Sequence, residues 1–203
     1  MLSPYRVIDL TTGPAALGPM ILADLGADVI KVEQPGGSPE RRAAPFAPGP
    51  KGPESFAFHI FNRNKRGVAI DFATVTGRTD FLELVRGADF LFEDAAPGVM
   101  TALGLGFAEL SAVNPSLVYV ATTPFGQDGP YSGHRANDLT IAAMGGMMAL
   151  LGEPDRRPVR ISVPQTWFHG AAESAFAALV AHQRRLATGE AQFVDVSVQA
   201  SVF

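Results

Sequence analysis

The chain has no cysteine among its 203 residues, so disulfides, thiolate metal sites and cysteine nucleophiles are excluded. Lysine is scarce as well: Lys31, Lys51 and Lys65 stand against thirteen arginines. A formal net charge of -4 gives no general attraction to nucleic acid or to an anionic membrane. No window approaches the roughly 20 apolar residues that span a bilayer. The N-terminus runs straight into a strand pattern, with no basic flank and apolar targeting segment ahead of it. These features lead to the expectation of a soluble, cytoplasmic protein. The length suits one substantial core and thus one domain, or most of one. The end of the sequence, VDVSVQASVF, reads as a strand running into an apolar helical start. It suggests either a fragment of a longer protein or a segment that docks on something outside the chain.

Several motifs are also missing. A dinucleotide site would need G-x-G-x-x-G after the first strand, and the loop there offers only Gly13 and Gly18, with Pro14 and Pro19 removing two amide donors. Glu33 falls where a ribose-binding acid would sit, but one acid alone does not make that site. The four histidines show no metal-ligand spacing. No G-x-S-x-G marks a hydrolase nucleophile.

What is present is an alternation of strand and helix signals. Residues 6–37 read as strand, loop, helix, strand. Val7, Ile8 and Leu10 form an apolar run, Gly13-Pro14 turns the chain, and Met20, Ile21, Leu22 and Leu25 recur at helical spacing up to Gly26. Val29, Ile30 and Val32 give a second strand. Such a unit invites a ligand at the carboxyl ends of its strands, beside Thr11, Thr12 and Gly13 and near Glu33 to Gly37. Residues 35–53 read as a Pro/Gly-rich loop, and 68–72 as a strand. A helix over about 76–86 leads to the strand ADFLFE. Short helices around 99–103 and 107–113 precede the strand SLVYVATT. Helices over about 138–151 and 168–188 follow, the last amphipathic on Phe176, Leu179 and Val180. The expected fold is α/β, a doubly wound parallel sheet.

Two groups are candidates for chemistry. Arg41, Arg42, Arg63, Lys65 and Arg66 concentrate in loops on or beside the carboxyl side of the strands, where they would either hold phosphates or form a solvated face. Asp138 opens a helix after a polar loop, where the helix dipole favours its ionised form. The alternative is an N-cap made by Asn137 or Asp138.

Taken in order, the segments VIDL…GP…LADLGADVIKVE, NKRGVAIDF, PGVMTALGLGFAELSAVNPSLVYV, FGQDGPY, DLTIAAMGG, GEPDRRPVR and TGEAQFVDVS resemble the family III CoA-transferases, the CaiB/BaiF family, which includes α-methylacyl-CoA racemases. The resemblance covers essentially the whole chain and corresponds to the N-terminal half of such proteins. It implies a Rossmann-like large domain over 1–203, interlocked dimers, and acyl-CoA and a small carboxylic acid as substrates. No tightly bound cofactor and no metal are implied. It also implies a partner chain, as a homodimer or a heteromer with a homologous CoA-transferase chain, and no nucleic acid or membrane partner.

In that family an Asp attacks the acyl-CoA thioester, giving an acyl-enzyme anhydride and then an enzyme-CoA thioester. Counting back from Thr188-Gly189 puts the corresponding position at Trp167, and neither Gln165, Thr166, Phe168 nor His169 supplies an acid. Glu173 is the nearest. Arg41, Lys65, Arg66 and Asp94 fall at CoA-contacting positions. Where the family often reads E-N-F-R-P-G this chain reads Glu93-Asp94-Ala95-Ala96-Pro97-Gly98, and Ala73 and Ala102 replace two further cations. Asp138 matches the proton-carrying Asp of the racemases, with Asn137 beside it. Three readings follow. The chain is a divergent or non-catalytic CoA-transferase half working with an active partner, an acyl-CoA racemase using Asp138, or a non-enzymatic acyl-CoA-binding subunit.

Overall fold

The computed structural model describes residues 1–50 and 52–203. Its first unit is β1 (Arg6–Asp9), a 3-10 turn at Gly13–Ala16, α1 (Leu17–Asp24) and β2 (Asp28–Glu33). Pro14 sits in the first turn, where its missing N–H is harmless, and Gly26 leaves the helix at a φ of 99°. The opening unit therefore forms as its periodicity predicts.

The following segment does not stay irregular. Residues 39–42 make a 3-10 turn, and β3 (Phe46–Gly49) pairs antiparallel with β4 (Gly52–Ser55). In this two-stranded ribbon Pro48 stands opposite Pro53, a placement tolerated on strands with free edges. The Ser55 hydroxyl accepts from the Phe58 N–H and caps α2 (Phe56–Asn62), a helix that the sequence pattern hides among its aromatics.

β5 (Lys65–Ala69) lies three residues earlier than the apolar run suggests, because it is an edge strand with one covered neighbour. Ile70 and Phe72 leave the sheet, and Phe72 packs edge-on against Phe81. α3 (Val75–Arg86), β6 (Phe90–Glu93), α4 (Val99–Ala102), α5 (Phe107–Val113) and β7 (Val118–Thr123) follow as expected. α6 (Asp138–Met144) stops well short of Leu151, since Gly145 and Gly146 intervene and Gly146 adopts a φ of 79°. α7 (Gln165–Thr188) and β8 (Gln192–Ser197) complete the structure.

Six strands form one parallel sheet in the order β5-β2-β1-β6-β7-β8. The chain winds outward from β1 to one edge, returns to the middle, and winds to the other. This is the Rossmann-type doubly wound order, whose switch point falls between β1 and β6. Both faces are covered, so the central strands are apolar without alternation. Val7, Val29, Phe90, Phe92, Val118 and Val120 point to the layer of α1 and α7. Ile8, Ile30, Leu91 and Tyr119 point to the layer of α3 and α5 with Phe81, Val85 and Leu110. Each fully buried Phe or Leu contributes on the order of 1.5–3 kcal/mol.

The long helix α7 buries a different stripe from the one its large residues suggest. Ala171, Ser174, Ala175, Ala178, His182 and Arg185 face inward, while Phe176 and Val180 are 64% and 54% exposed. The small residues let α1 approach closely. A Cβ on Gly18 would lie 2.4 Å from the Ser174 hydroxyl oxygen and 3.0 Å from the Ala171 carbonyl oxygen.

Candidate active site

The carboxyl ends of β1, β2, β6 and β7 carry buried polar side chains, among them Asp9, Thr11, Glu33, Glu93, Thr122 and Thr123. At their centre the carboxylate of Asp9 is wholly buried. One oxygen accepts from the Thr11 N–H and hydroxyl at 2.8 and 2.6 Å, and the other meets the Lys65 ammonium at 2.7 Å. Lys65 also donates to the Ala16 carbonyl at 2.9 Å. Lys31 lies 3.8 Å from Asp9 and donates to the Thr11 carbonyl. Burial pulls the Lys65 ammonium below its usual range, against the attraction of Asp9. Burial also opposes ionisation of Asp9, but Lys31, Lys65 and the Thr11 hydrogen bonds outweigh it and hold that carboxyl low. This cluster fixes the loop after β1 rather than offering charge to a ligand.

Across the switch point Thr12, after β1, meets Asp94, after β6. The Thr12 N–H and hydroxyl donate to Asp94 Oδ2 at 2.9 and 2.8 Å. Asp94 Oδ1 has no hydrogen-bond partner among the described residues. Burial pushes the Asp94 carboxyl up to about 6, although the Thr12 bonds pull the other way. Its neighbour Glu93 is 4% exposed and is pushed up to about 7, again mainly by burial. The Ala95 N–H donates to Glu93 at 2.7 Å, and the Tyr119 hydroxyl makes a longer 3.4 Å contact.

Thr12 and Asp94 separate two cavities. One, of about 400 Å³, lies over the ends of β1, β2 and β6 and is walled by Leu10, Val32, Phe72, Met100 and Leu103. The other, of about 650 Å³, opens between Gly13-Pro14, Pro97, the loop at 132–136 and Trp167. Trp167 therefore faces the same space as Asp94, and Asp94 is the single carboxylate on that cavity's wall among the described residues.

The structure disperses the other candidates. Arg41 grips Glu33 with two hydrogen bonds of 2.8 and 2.6 Å and lies 3.9 Å above the Phe58 ring. Glu33 also accepts from the Ser38 N–H, and with the Arg41 guanidinium as the chief cause its carboxyl drops to about 2. Arg41 still borders a shallow cavity with Gly37, Val68 and Ala69. The Lys65 side chain is 1% exposed, within the Asp9 cluster. Arg66 pairs with Asp28, the first residue of β2, at 2.7 Å, toward the amino ends of the strands and away from the cleft. Arg63 turns to Asp24 at 2.6 Å, and Arg42 to the Gly36 carbonyl at 3.0 Å. The five basic residues thus form separate contacts and no common phosphate cradle.

Asp138 is committed elsewhere. Asn137 is the N-cap of α6, accepting from the Thr140 N–H at 3.0 Å. The Asp138 carboxylate instead accepts from the Thr166 N–H and hydroxyl at 2.9 and 2.6 Å, at the start of α7, with Arg160 at 3.8 Å. Thr166 directly precedes Trp167, so Asp138 fixes the turn that carries the indole. Glu173, two turns into α7, is exposed and does not line the cavity beside Trp167. No spacing in the sequence singles out Glu93 as a titrating group. The signal available was a pair of acids closing a strand at the switch point.

A parallel sheet of this order, with its polar cleft at the switch point, defines an α/β protein that takes a ligand across the carboxyl ends of its strands. The chain belongs to the CoA-transferase family III, whose family model matches residues 2–203. It is 39% identical over 199 residues to the succinyl-CoA:(R)-benzylsuccinate CoA-transferase subunit BbsE of Thauera aromatica, covering 96% of this chain and 48% of that protein. It is 38% identical over 204 residues to the acetyl-CoA:oxalate CoA-transferase of Acetobacter aceti, covering 95% of this chain and 49% of that protein. The crystal structure of a CaiB/BaiF family protein from Brucella suis superposes with a TM-score of 0.92 at 36% identity, over 99% of this chain and 54% of that one. The chain spans about half the length of the curated relatives it matches. No described helix is long and apolar enough to cross a membrane.

Proposed function

We propose that this chain is a divergent half of a cytoplasmic CoA-transferase that moves CoA between an acyl-CoA and a carboxylic acid. CoA is its substrate and not a resident cofactor. The observation that carries the reading is Trp167. Its indole walls the switch-point cavity at the position that the family resemblance gives to the nucleophile, and residues 165–169 contain no acid. The start of α7 therefore does not supply the attacking carboxylate. The chain works with a second chain, a copy of itself or a homologue. The likeness to a relative that is itself named a subunit supports this.

The racemase reading is weaker on geometry. Asp138 Oδ1 holds Thr166, and Asp138 does not line the cavity beside Trp167. A proton carrier must reach the α-carbon of its substrate. We therefore assign Asp138 a positioning role.

The test is to incubate the whole protein that carries this chain, with any chain that co-purifies, with succinyl-CoA or acetyl-CoA and a panel of carboxylic acids. New acyl-CoA species are expected on chromatography. Exchange of the α-proton with deuterated water without CoA transfer, abolished by Asp138→Asn, would replace this reading with the racemase one.

A further inference from the structure

Resting on the CoA-transfer reading, the geometry points to Asp94 as the carboxylate nucleophile of this chain, acting from the β6–α4 turn in place of an acid on α7. Four observations converge on it. Asp94 stands at the switch point of a doubly wound sheet, where such folds hold their ligands. It is the single carboxylate, among the described residues, on the wall of the cavity that Trp167 also lines. Thr12 fixes one carboxylate oxygen through two hydrogen bonds of 2.9 and 2.8 Å, which sets the rotamer and leaves the other oxygen without a hydrogen-bond partner among the described residues. The cavity wall combines apolar Pro14, Pro97, Pro124 and Trp167 with polar Ser132, His134 and Arg135, so an acyl chain and a charged group can both lie beside Asp94. The raised basicity of the carboxyl, near 6, keeps it mostly ionised at neutral pH while making it a better nucleophile than an ordinary Asp.

The exchange balances without any further reactant. Asp94 Oδ1 adds to the thioester carbonyl, the C–S bond breaks, and CoA leaves as the thiolate with a mixed anhydride on Asp94. The thiolate adds to the aspartyl carbonyl and expels the donor acid as its carboxylate, leaving CoA in thioester linkage to Asp94. The acceptor carboxylate attacks that thioester carbonyl, releasing the thiolate and forming a second anhydride. The thiolate then takes the acceptor acyl group, and Asp94 returns as a carboxylate.

Asp94→Asn keeps an acceptor oxygen for Thr12, so it isolates chemistry from folding; a thermal midpoint within a few degrees of the parent checks this. The whole protein, with any co-purifying chain, is treated with succinyl-CoA or acetyl-CoA, quenched with hydroxylamine, and mapped by peptide mass spectrometry. A hydroxamate at Asp94 is expected, absent in Asp94→Asn, together with a loss of CoA transfer of about three orders of magnitude. Adding Trp167→Asp to Asp94→Asn, which places an acid at another position lining the same cavity, is expected to restore part of that activity. CoA transfer that survives Asp94→Asn, or an adduct on another residue or on the partner chain, overturns the assignment while leaving the CoA-transfer reading intact. Absence of transfer and of any adduct in the parent protein removes both.

Discussion

The carboxylate of Asp138, on the first residue of α6, holds the first turn of α7 through the Thr166 N–H and hydroxyl at 2.9 and 2.6 Å. Two helices separated by a long loop are thereby locked together one residue before Trp167. Pro164 at the N-cap of α7 offers no side-chain acceptor, so Asp138 provides the cap from a distance.

Removing that cap has two expected readouts. Asp138→Ala leaves the Thr166 N–H without its charged acceptor and should destabilise the protein by about 1–3 kcal/mol. Asp138→Asn, which keeps an acceptor oxygen, should have a smaller effect. Because Trp167 is the sole tryptophan, its fluorescence maximum reports the local change directly. An unshifted spectrum in Asp138→Ala would show that the contact does not fix the indole.

Two neighbouring cations should respond very differently to substitution. Lys65→Met leaves the Asp9 carboxylate buried with a reduced charge complement, and an uncompensated buried charge costs about 3–5 kcal/mol. Arg66→Ala disturbs an exposed pair with Asp28 and should barely move the urea midpoint. Equal effects of the two substitutions would contradict the placement of Lys65 in the interior.

Glu93 should make the fold more stable in mild acid than in mild alkali. Its carboxyl titrates at about 7 in the folded chain against 4.5 for an unperturbed one. The folded state therefore binds more protons between those values, and stability falls as pH rises through that window. The difference corresponds to an upper bound of about 3 kcal/mol at 1.36 kcal/mol for each pKa unit. Glu93→Gln keeps an acceptor for the Ala95 N–H and should flatten this dependence. Urea unfolding of both proteins from pH 5 to pH 8 measures it, and parallel curves would refute the buried, titrating Glu93.

Much of the fold is legible in the sequence because the central strands carry their own signal. Val7-Ile8 and Val29-Ile30 are apolar in succession, as a sheet covered on both faces demands, and Gly26 marks its helix end by its positive φ. The hairpin at 46–55 is hidden because prolines occupy both of its strands. The inward face of α7 is hidden for another reason. Close approach to Gly18 selects Ala171 and Ala175 over larger residues, so hydrophobicity points to Phe176 and Val180 on the wrong side.

The site divides in the same way. Trp167 and Asp94 stand out in linear motifs, and both face the switch-point cavity. The roles of Arg41, Lys65 and Arg66 depend on which acid each meets, and Glu33, Asp9 and Asp28 come from three different turns or strand ends. Spacing along the chain carries no record of such pairings. The Thr12 to Asp94 bridge, between residues 82 apart in sequence, is of this kind.

The placement of β1 at the middle of the sheet also bears on how the protein is made. β1 is flanked in the sheet by β2, the next strand of the chain, and by β6, which is synthesised only after β3, β4 and β5. At about 5–20 residues per second, the strand Val7-Ile8 waits several seconds with unpaired amides beside an apolar surface. A nascent chain that stalls before Phe90 lacks the partner for that edge, and an unpaired apolar strand edge is a site of mispairing.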